Sequence, residues 1–322
     1  MLGKRQKNTR TLALPSALSV NNAKKILNKM RISKEDRDKI VPNVFSMNPT
    51  VMNGAFHIPK EEYSSFLMNI ATLVFEDRVP LGLVERPLND NDDGTCLSPV
   101  RVDLDFRFEK PDGFDTHDTP DRHVDIHHSV KFIELMWKEI AATCDFEEDY
   151  ATDEVEFFIL QKPFPEYDDK KDLIKDGLHI ICKDIQLRPE IHLFLRKKIM
   201  KDLSSVLPEE CFKKTTASDI YDESVLYKGN WMIHGNRKKD RNAYQVIGKV
   251  TYFPTRTEQK PIVKHYKPSE MTIDKNKELV LTLSIRHGIS GLKAPGLKDT
   301  VREELRNFVD KNQKAKQALR LT

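Results

Sequence analysis

With 322 residues, 39% of them hydrophobic and 32% charged, the chain can bury a sizeable core. No apolar run approaches the roughly 18–20 residues of a membrane span. The basic N-terminus lacks the apolar stretch of a secretory signal, so an intracellular protein is expected. Four cysteines, Cys96, Cys144, Cys182 and Cys211, stand far apart without a C-x-x-C pair, which reads as scattered reduced thiols rather than a disulfide framework or a zinc site. The formal charge of +3 does not by itself announce nucleic-acid binding. Charge is instead gathered locally, in Arg196-Lys197-Lys198, Lys213-Lys214, Arg237-Lys238-Lys239-Asp240-Arg241 and residues 302–322. A solvated helix face accounts for most such runs, and phosphate contact for some.

In chain order, residues 1–18 read as a flexible basic lead. Asn21 or Asn22 is placed to cap a helix running to about Met30, and Ser33 to begin a short second helix ended by Pro42. Pro59 suits the first turn of a helix whose stripe is Tyr63, Phe66, Leu67, Ile70, Leu73 and Val74, a spacing that means core packing. Leu81 to Arg86 reads as a strand, and Asn89 to Gly94 as a loop without the spacing of a calcium site.

Val100 to Phe108 alternates strictly, with apolar side chains at even positions and Arg101, Asp103, Asp105 and Arg107 between them. That is the period of a half-buried strand, and it sets Asp103 and Asp105 on one face, roughly 7 Å apart at a rise of about 3.3 Å per residue. A divalent cation would relieve their repulsion; a solvated acidic face flanked by arginines is the plainer account. His123, His127 and His128 lack the context of a metal site and read as surface or capping residues. Ile126 to Thr143 is an amphipathic helix and Glu154 to Leu160 a strand. Residues 166–176 read as a charged loop, and Gly177 to Cys182 as a short strand carrying His179. Pro189 to Leu207 is expected to be helical, while Asp219 to Tyr227 resists assignment. Trp231 to His234 reads as a strand that pairs with Tyr244 to Phe253 through a long basic hairpin loop, Leu279 to Ile285 as a further strand, and Asp299 or Thr300 as the start of a last helix. The irregular alternation, without a G-x-G-x-x-G after any strand, favours an α+β fold: a mixed or antiparallel sheet backed by helices, with helical N- and C-terminal extensions.

Three motifs now stand in order. The first is Val102-Asp103-Leu104-Asp105-Phe106, the second Gly177-Leu178-His179-Ile180-Ile181. The third runs from Asp222-Glu223-Ser224-Val225 through Tyr227 and Trp231-Met232-Ile233-His234 to Gly235-Asn236-Arg237-Lys238. Together they resemble the archaeo-eukaryotic primase superfamily, and within it the primase domain of the primase–helicases of poxviruses and other large DNA viruses. The resemblance covers about residues 80–255. It implies a catalytic domain over 51–262, between a helical extension at 1–50 and a strand plus basic helix at 263–322 that leads toward a helicase. It implies Asp103, Asp105 and Asp222 as metal-binding catalytic acids, Gly177 and His179 as nucleotide-binding residues, and Lys238 on the triphosphate; on chemistry alone Arg237 is a near equal of Lys238. Asp219 and Glu223 are the rivals of Asp222. Two departures stand out: Gly177 replaces the serine of many relatives, and Met232 or Ile233 stands where an arginine is common.

The resemblance further implies a DNA primase or primase-polymerase. Two Mg²⁺ or Mn²⁺ ions would serve it, with no zinc in these residues, and its partners would be single-stranded template, nucleoside triphosphates and a replicative helicase, joined or separate, at the site of viral DNA replication. Gly291 to Gly296 has the glycine spacing of a P-loop, but Leu297 stands in place of its lysine, so no ATPase is expected here. Phosphoryl transfer asks for positioned cations and cationic donors, which this set of residues supplies. A carboxylate-metal nuclease and a catalytically silent nucleic-acid-binding module are the competing readings.

Overall fold

The structure, a computed structural model, describes residues 15–36, 38–87, 97–115, 119–146, 154–226, 229–239, 241–254, 259–288 and 294–312. Cys96, the Asn89–Gly94 turn, Tyr227, Asp240 and parts of the leading, trailing and Gly291–Gly296 segments lie outside them. The elements in chain order are α1 (Ala17–Lys29), β1 (Val44–Ser46), β2 (Gly54–Phe56), α2 (Tyr63–Phe75), β3 (Leu83–Glu85), β4 (Ser98–Glu109), α3 (Ile126–Thr143), β5 (Cys144–Asp145), β6 (Val155–Gln161), β7 (Glu166–Asp168) and β8 (Leu173–Leu187). They continue with α4 (Pro189–Ile199), α5 (Ala217–Ile220), β9 (Trp231–Met232), β10 (Gln245–Tyr252), β11 (Ile262–His265), α6 (Ile273–Thr282), β12 (Gly296–Leu297) and α7 (Asp299–Lys311). The fold is α+β, and every strand pairing among the described residues is antiparallel.

The larger sheet has the order β11-β10-β6-β8-β4, with β7 also on β8. Its longest partners, β4 and β8, pair from Ser98–Leu187 to Glu109–Leu173. The strand around His179 is therefore far longer than Gly177–Cys182, and the tract 166–176 is no loop. Lys175 of β8 pairs with Asp168 of β7 across the strands, and Glu166 takes Lys162 just before the tract, which lets a polar stretch join a sheet. Helix α3 lies on the face away from the acids. It packs so closely that a Cβ on Gly248 of β10 would stand 2.7 Å from Ile126 Cδ1. The three histidines serve this region. Asp125 caps α3 by accepting from the His127 and His128 backbone, His128 Nδ1 lies 2.7 Å from the same carboxylate, and the His123 ring packs 4.4 Å from that of Phe108.

A smaller sheet, β2-β1-β3-β9, forms a second core with α1, α2 and Val280 of α6. Pairing of β1 with β2 runs across residue 50, and β11 begins at Ile262. Five local expectations are corrected here. Helix α1 starts at Ala17, where Ser16 rather than an asparagine accepts the capping bond from Ser19 N, and Ser33–Asp36 is a turn. Helix α4 ends at Ile199 and gives way to short 3₁₀ turns. Strand β9 pairs with β3, because both sides of β10 are taken by β6 and β11. Residues 279–282 are helical: Leu279, Val280 and Leu283 share the buried side of a helix that Thr272 caps through Lys275 N.

Where the two sheets meet, buried Glu85 accepts hydrogen bonds from Tyr63 Oη (2.9 Å), Ser284 Oγ (2.5 Å) and Ile285 N (2.9 Å). Burial still pushes its carboxyl above the usual range. Arg101 lies buried nearby, and no described residue hydrogen-bonds its guanidinium. Desolvation pushes it down to about 10, and Glu85 is the charge that opposes this shift.

Candidate active site

The register of β4 on β8 builds the site. Asp103 stands opposite His179 and Asp105 opposite Gly177, while Val102, Leu104 and Phe106 are buried on the reverse face. His179 Nε2 lies 3.4 Å from Asp103 Oδ1, an oxygen that is buried and accepts no hydrogen bond. Asp105 has surface open to solvent, yet its carboxyl is pushed above the usual range. Loss of hydration is the chief cause and the Asp103 charge the next, with Asp222 adding; His179 and Arg107 pull the other way.

Asp222 reaches the same place from a distant part of the chain. Its backbone N–H donates to Asp103 O at 2.9 Å, and Tyr221 bridges Leu104, so this segment extends the free edge of β4. Arg196 of α4 holds it there. Its Nε and Nη2 donate to Tyr221 O at 2.9 and 2.8 Å, Nη2 also donates to Ser218 O at 2.9 Å, and Nη1 reaches Glu223 at 3.3 Å. The Asp222 carboxylate is set by Ser224, which donates through its N (2.9 Å) and Oγ (2.8 Å). An open polar cavity of about 350 Å³ is lined by Asp105, Arg107, Arg196, Asp219, Asp222 and Glu223. The rivals of Asp222 thus line the same cavity, but in other employment. Asp219 is held by Thr216 at the start of α5, which lowers its carboxyl, and Glu223 faces Arg196.

On the other side of His179 a second, less polar cavity is walled by Leu160, Trp231, Tyr244 and the His234–Asn236 turn. Gly235 is required in that turn: its φ is +81°, and a Cβ would overlap the Phe75 ring. Asn236 Oδ1 accepts from Leu83 N at 3.0 Å, which ties the turn to β3. Arg237 and Lys238 follow the turn, Arg237 half-buried and Lys238 exposed. Neither makes an ion pair with the three acids among the described residues.

Residues 45–249 match the family described as the C962R protein N-terminal AEP domain, AEP denoting archaeo-eukaryotic primase. The chain belongs to this archaeo-eukaryotic primase family. None of the curated proteins compared matches it. The matched span holds all three acids, His179 and the basic turn of this primase-like nucleotidyltransferase family.

Three residues of the candidate site escape local sequence reasoning. Arg196 looks like one member of a basic run, but it is buried and clamps the Asp222 segment. Arg107 reads as a flank of the acidic strand, whereas it lines the cavity beside Asp105. Tyr244 carries no motif at all, yet its ring stacks on His179 with centroids 3.7 Å apart and planes 15° apart. Trp231 packs against the same imidazole at 4.7 Å.

Whether these residues suit a divalent cation can be judged from the donors. The bare, buried Asp103 Oδ1 beside a carboxylate whose charge is disfavoured is the setting a cation would satisfy. Among the described residues no three Asp, Glu, His or Cys side chains already stand at ligating distances, so any ion would draw the Asp222 carboxylate in from its bonds to Ser224.

Proposed function

We propose that this chain is a DNA primase or primase-polymerase, joining nucleoside triphosphates along a single-stranded DNA template with release of pyrophosphate. The observation that carries this reading is the attachment of the Asp222 segment to the free edge of β4, beside Asp103 and Asp105 and across from His179. A divalent cation, Mg²⁺ or Mn²⁺, when held by Asp103, Asp105 and Asp222, supplies charge neutralisation for the triphosphate and acidifies the attacking 3′-hydroxyl. The chain's own residues do the rest by positioning and by electrostatics. His179, its ring plane held by Tyr244 and Trp231, donates to a phosphate oxygen. Arg196 keeps the Asp222 backbone in register, so that only the carboxylate of the third acid has to turn from Ser224. Lys238, with Arg237 beside it, meets the outer end of the triphosphate from the exposed turn. A replicative helicase, joined or separate, is the partner this activity would need.

The test is incubation with single-stranded template, Mg²⁺ or Mn²⁺ and labelled nucleotides. New oligomers are expected from the wild type and none from Asp103→Ala/Asp105→Ala, whose circular dichroism should match the wild type. A shortened template would instead make the chain a nuclease. DNA binding with neither product would make it a binding module, and either result overturns the proposal.

A further inference from the structure

The side chain that Gly177 lacks leaves a vacancy on β8 that another residue fills. A Cβ at position 177 would stand 2.7 Å from Tyr244 Oη and 3.2 Å from Leu104 O, with Asp105 Oδ1 3.8 Å away. Tyr244 comes from the opposite end of the matched span, just before β10. Its ring lies flat on His179, and its hydroxyl projects over the β8 backbone into the place a serine side chain would take. The hydroxyl makes no hydrogen bond with any described residue. It therefore stands beside the His179 imidazole with its proton uncommitted.

We propose that Tyr244 is a nucleotide-binding residue whose hydroxyl donates to a phosphate oxygen of the incoming nucleoside triphosphate, in place of the side chain absent at Gly177. The inference rests on the nucleotidyl-transfer reading and names one more residue of that site. Its chemistry suits an anion. A phenol hydroxyl that no described residue engages meets phosphate as a hydrogen-bond donor. The stacked ring, with Lys162 Nζ 5.6 Å from its centroid, holds that donor in one direction.

Tyr244→Phe keeps the ring on His179 and deletes only the oxygen. Equilibrium binding of a labelled nucleoside triphosphate, measured with Mg²⁺ and without template, should weaken about tenfold or more, the loss expected when a hydrogen bond to a charged group is removed. Adding Gly177→Ser to Tyr244→Phe returns a hydroxyl from β8 into the space just cleared and should recover most of that affinity. Gly177→Ser alone collides with Tyr244 Oη and should not improve binding. His179→Ala serves as the reference. If it leaves triphosphate binding intact, the nucleotide site itself is misplaced and the proposed function fails. If His179→Ala weakens binding while Tyr244→Phe does not, the function stands and the role of Tyr244 falls. If Tyr244→Phe weakens binding but Gly177→Ser gives no recovery, the hydroxyl does not act at the position argued here, and the inference is overturned.

Discussion

Asp105→Asn should raise the stability of the protein while ending its activity. In the folded state the Asp105 carboxyl holds its proton more tightly than in the unfolded chain, because hydration is lost and Asp103 and Asp222 repel its charge. A group with a raised folded pKa favours the fold below the ordinary carboxylate range, and that contribution is lost as pH rises through the folded value. At neutral pH the ionised Asp105 is therefore a net cost. Setting Arg107 against Asp222 leaves one uncompensated acid, Asp103, roughly 7 Å away along the strand. At that distance, with an effective dielectric constant between about 40 and 80 for a partly exposed pair, the repulsion is about 0.6–1.2 kcal/mol. Thermal unfolding of Asp105→Asn at pH 7.5 should thus show a Tm about 1–3 °C above the wild type, with the gain vanishing below about pH 3.5. Mn²⁺ should reverse the order, since an ion at tenfold its Kd stabilises the wild type by about 1.4 kcal/mol and has lost a ligand in the variant. A variant that melts at or below the wild type at neutral pH without metal, or that gains equally at both pH values, would refute the account of crowded charge.

Two further outcomes follow from the same structure. Lys238→Ala should raise the nucleotide KM several-fold and leave template affinity nearly unchanged, as read from steady-state synthesis and fluorescence anisotropy; an unchanged KM removes the exposed turn from the site. Arg101→Met replaces a buried guanidinium that makes no hydrogen bond by an apolar side chain of similar length, and Glu85 keeps Arg286, Tyr63 and Ser284 as partners. Urea unfolding should show it neutral or stabilised, by up to about 4 kcal/mol, whereas a loss near 3 kcal/mol would mean that Arg101 is properly paired after all.

The parts of the site legible in the sequence are those whose signal is local. Alternation through Val100–Phe108 places Asp103 and Asp105 on one face, and the apolar stripe of Ile126–Thr143 gives α3 to the residue. The illegible parts depend on pairing across long separations. Strands β1, β2, β3 and β9 have two or three residues each, too few for a period to show, and β9 finds β3 rather than the neighbour its hairpin-like context suggests. Leu279–Ile285 contains a period of two in Leu279, Leu281, Leu283 and Ile285. The same letters satisfy a helical face, and the polar, Thr272-capped turn before them decides the outcome. Arg196 is misread for a related reason: a run of three cations looks solvated until the carbonyls of Ser218 and Tyr221 are brought over it.

Gly177 shows how a missing side chain can be as informative as one that is present. Read along the chain, the glycine is a loss: one hydroxyl fewer on β8. In three dimensions, the space that its missing Cβ would need is occupied by Tyr244 Oη, so glycine at 177 and tyrosine at 244 are one arrangement rather than two. A larger residue at 177 must displace the tyrosine, and displacing the tyrosine frees the plane of His179, on which its ring lies. The two positions are therefore coupled through a steric contact and a ring stack at once. It follows that their substitutions should be strongly non-additive in nucleotide binding, with Gly177→Ser harmful beside tyrosine and restorative beside phenylalanine. A pair of independent surface residues could not reverse sign in that way.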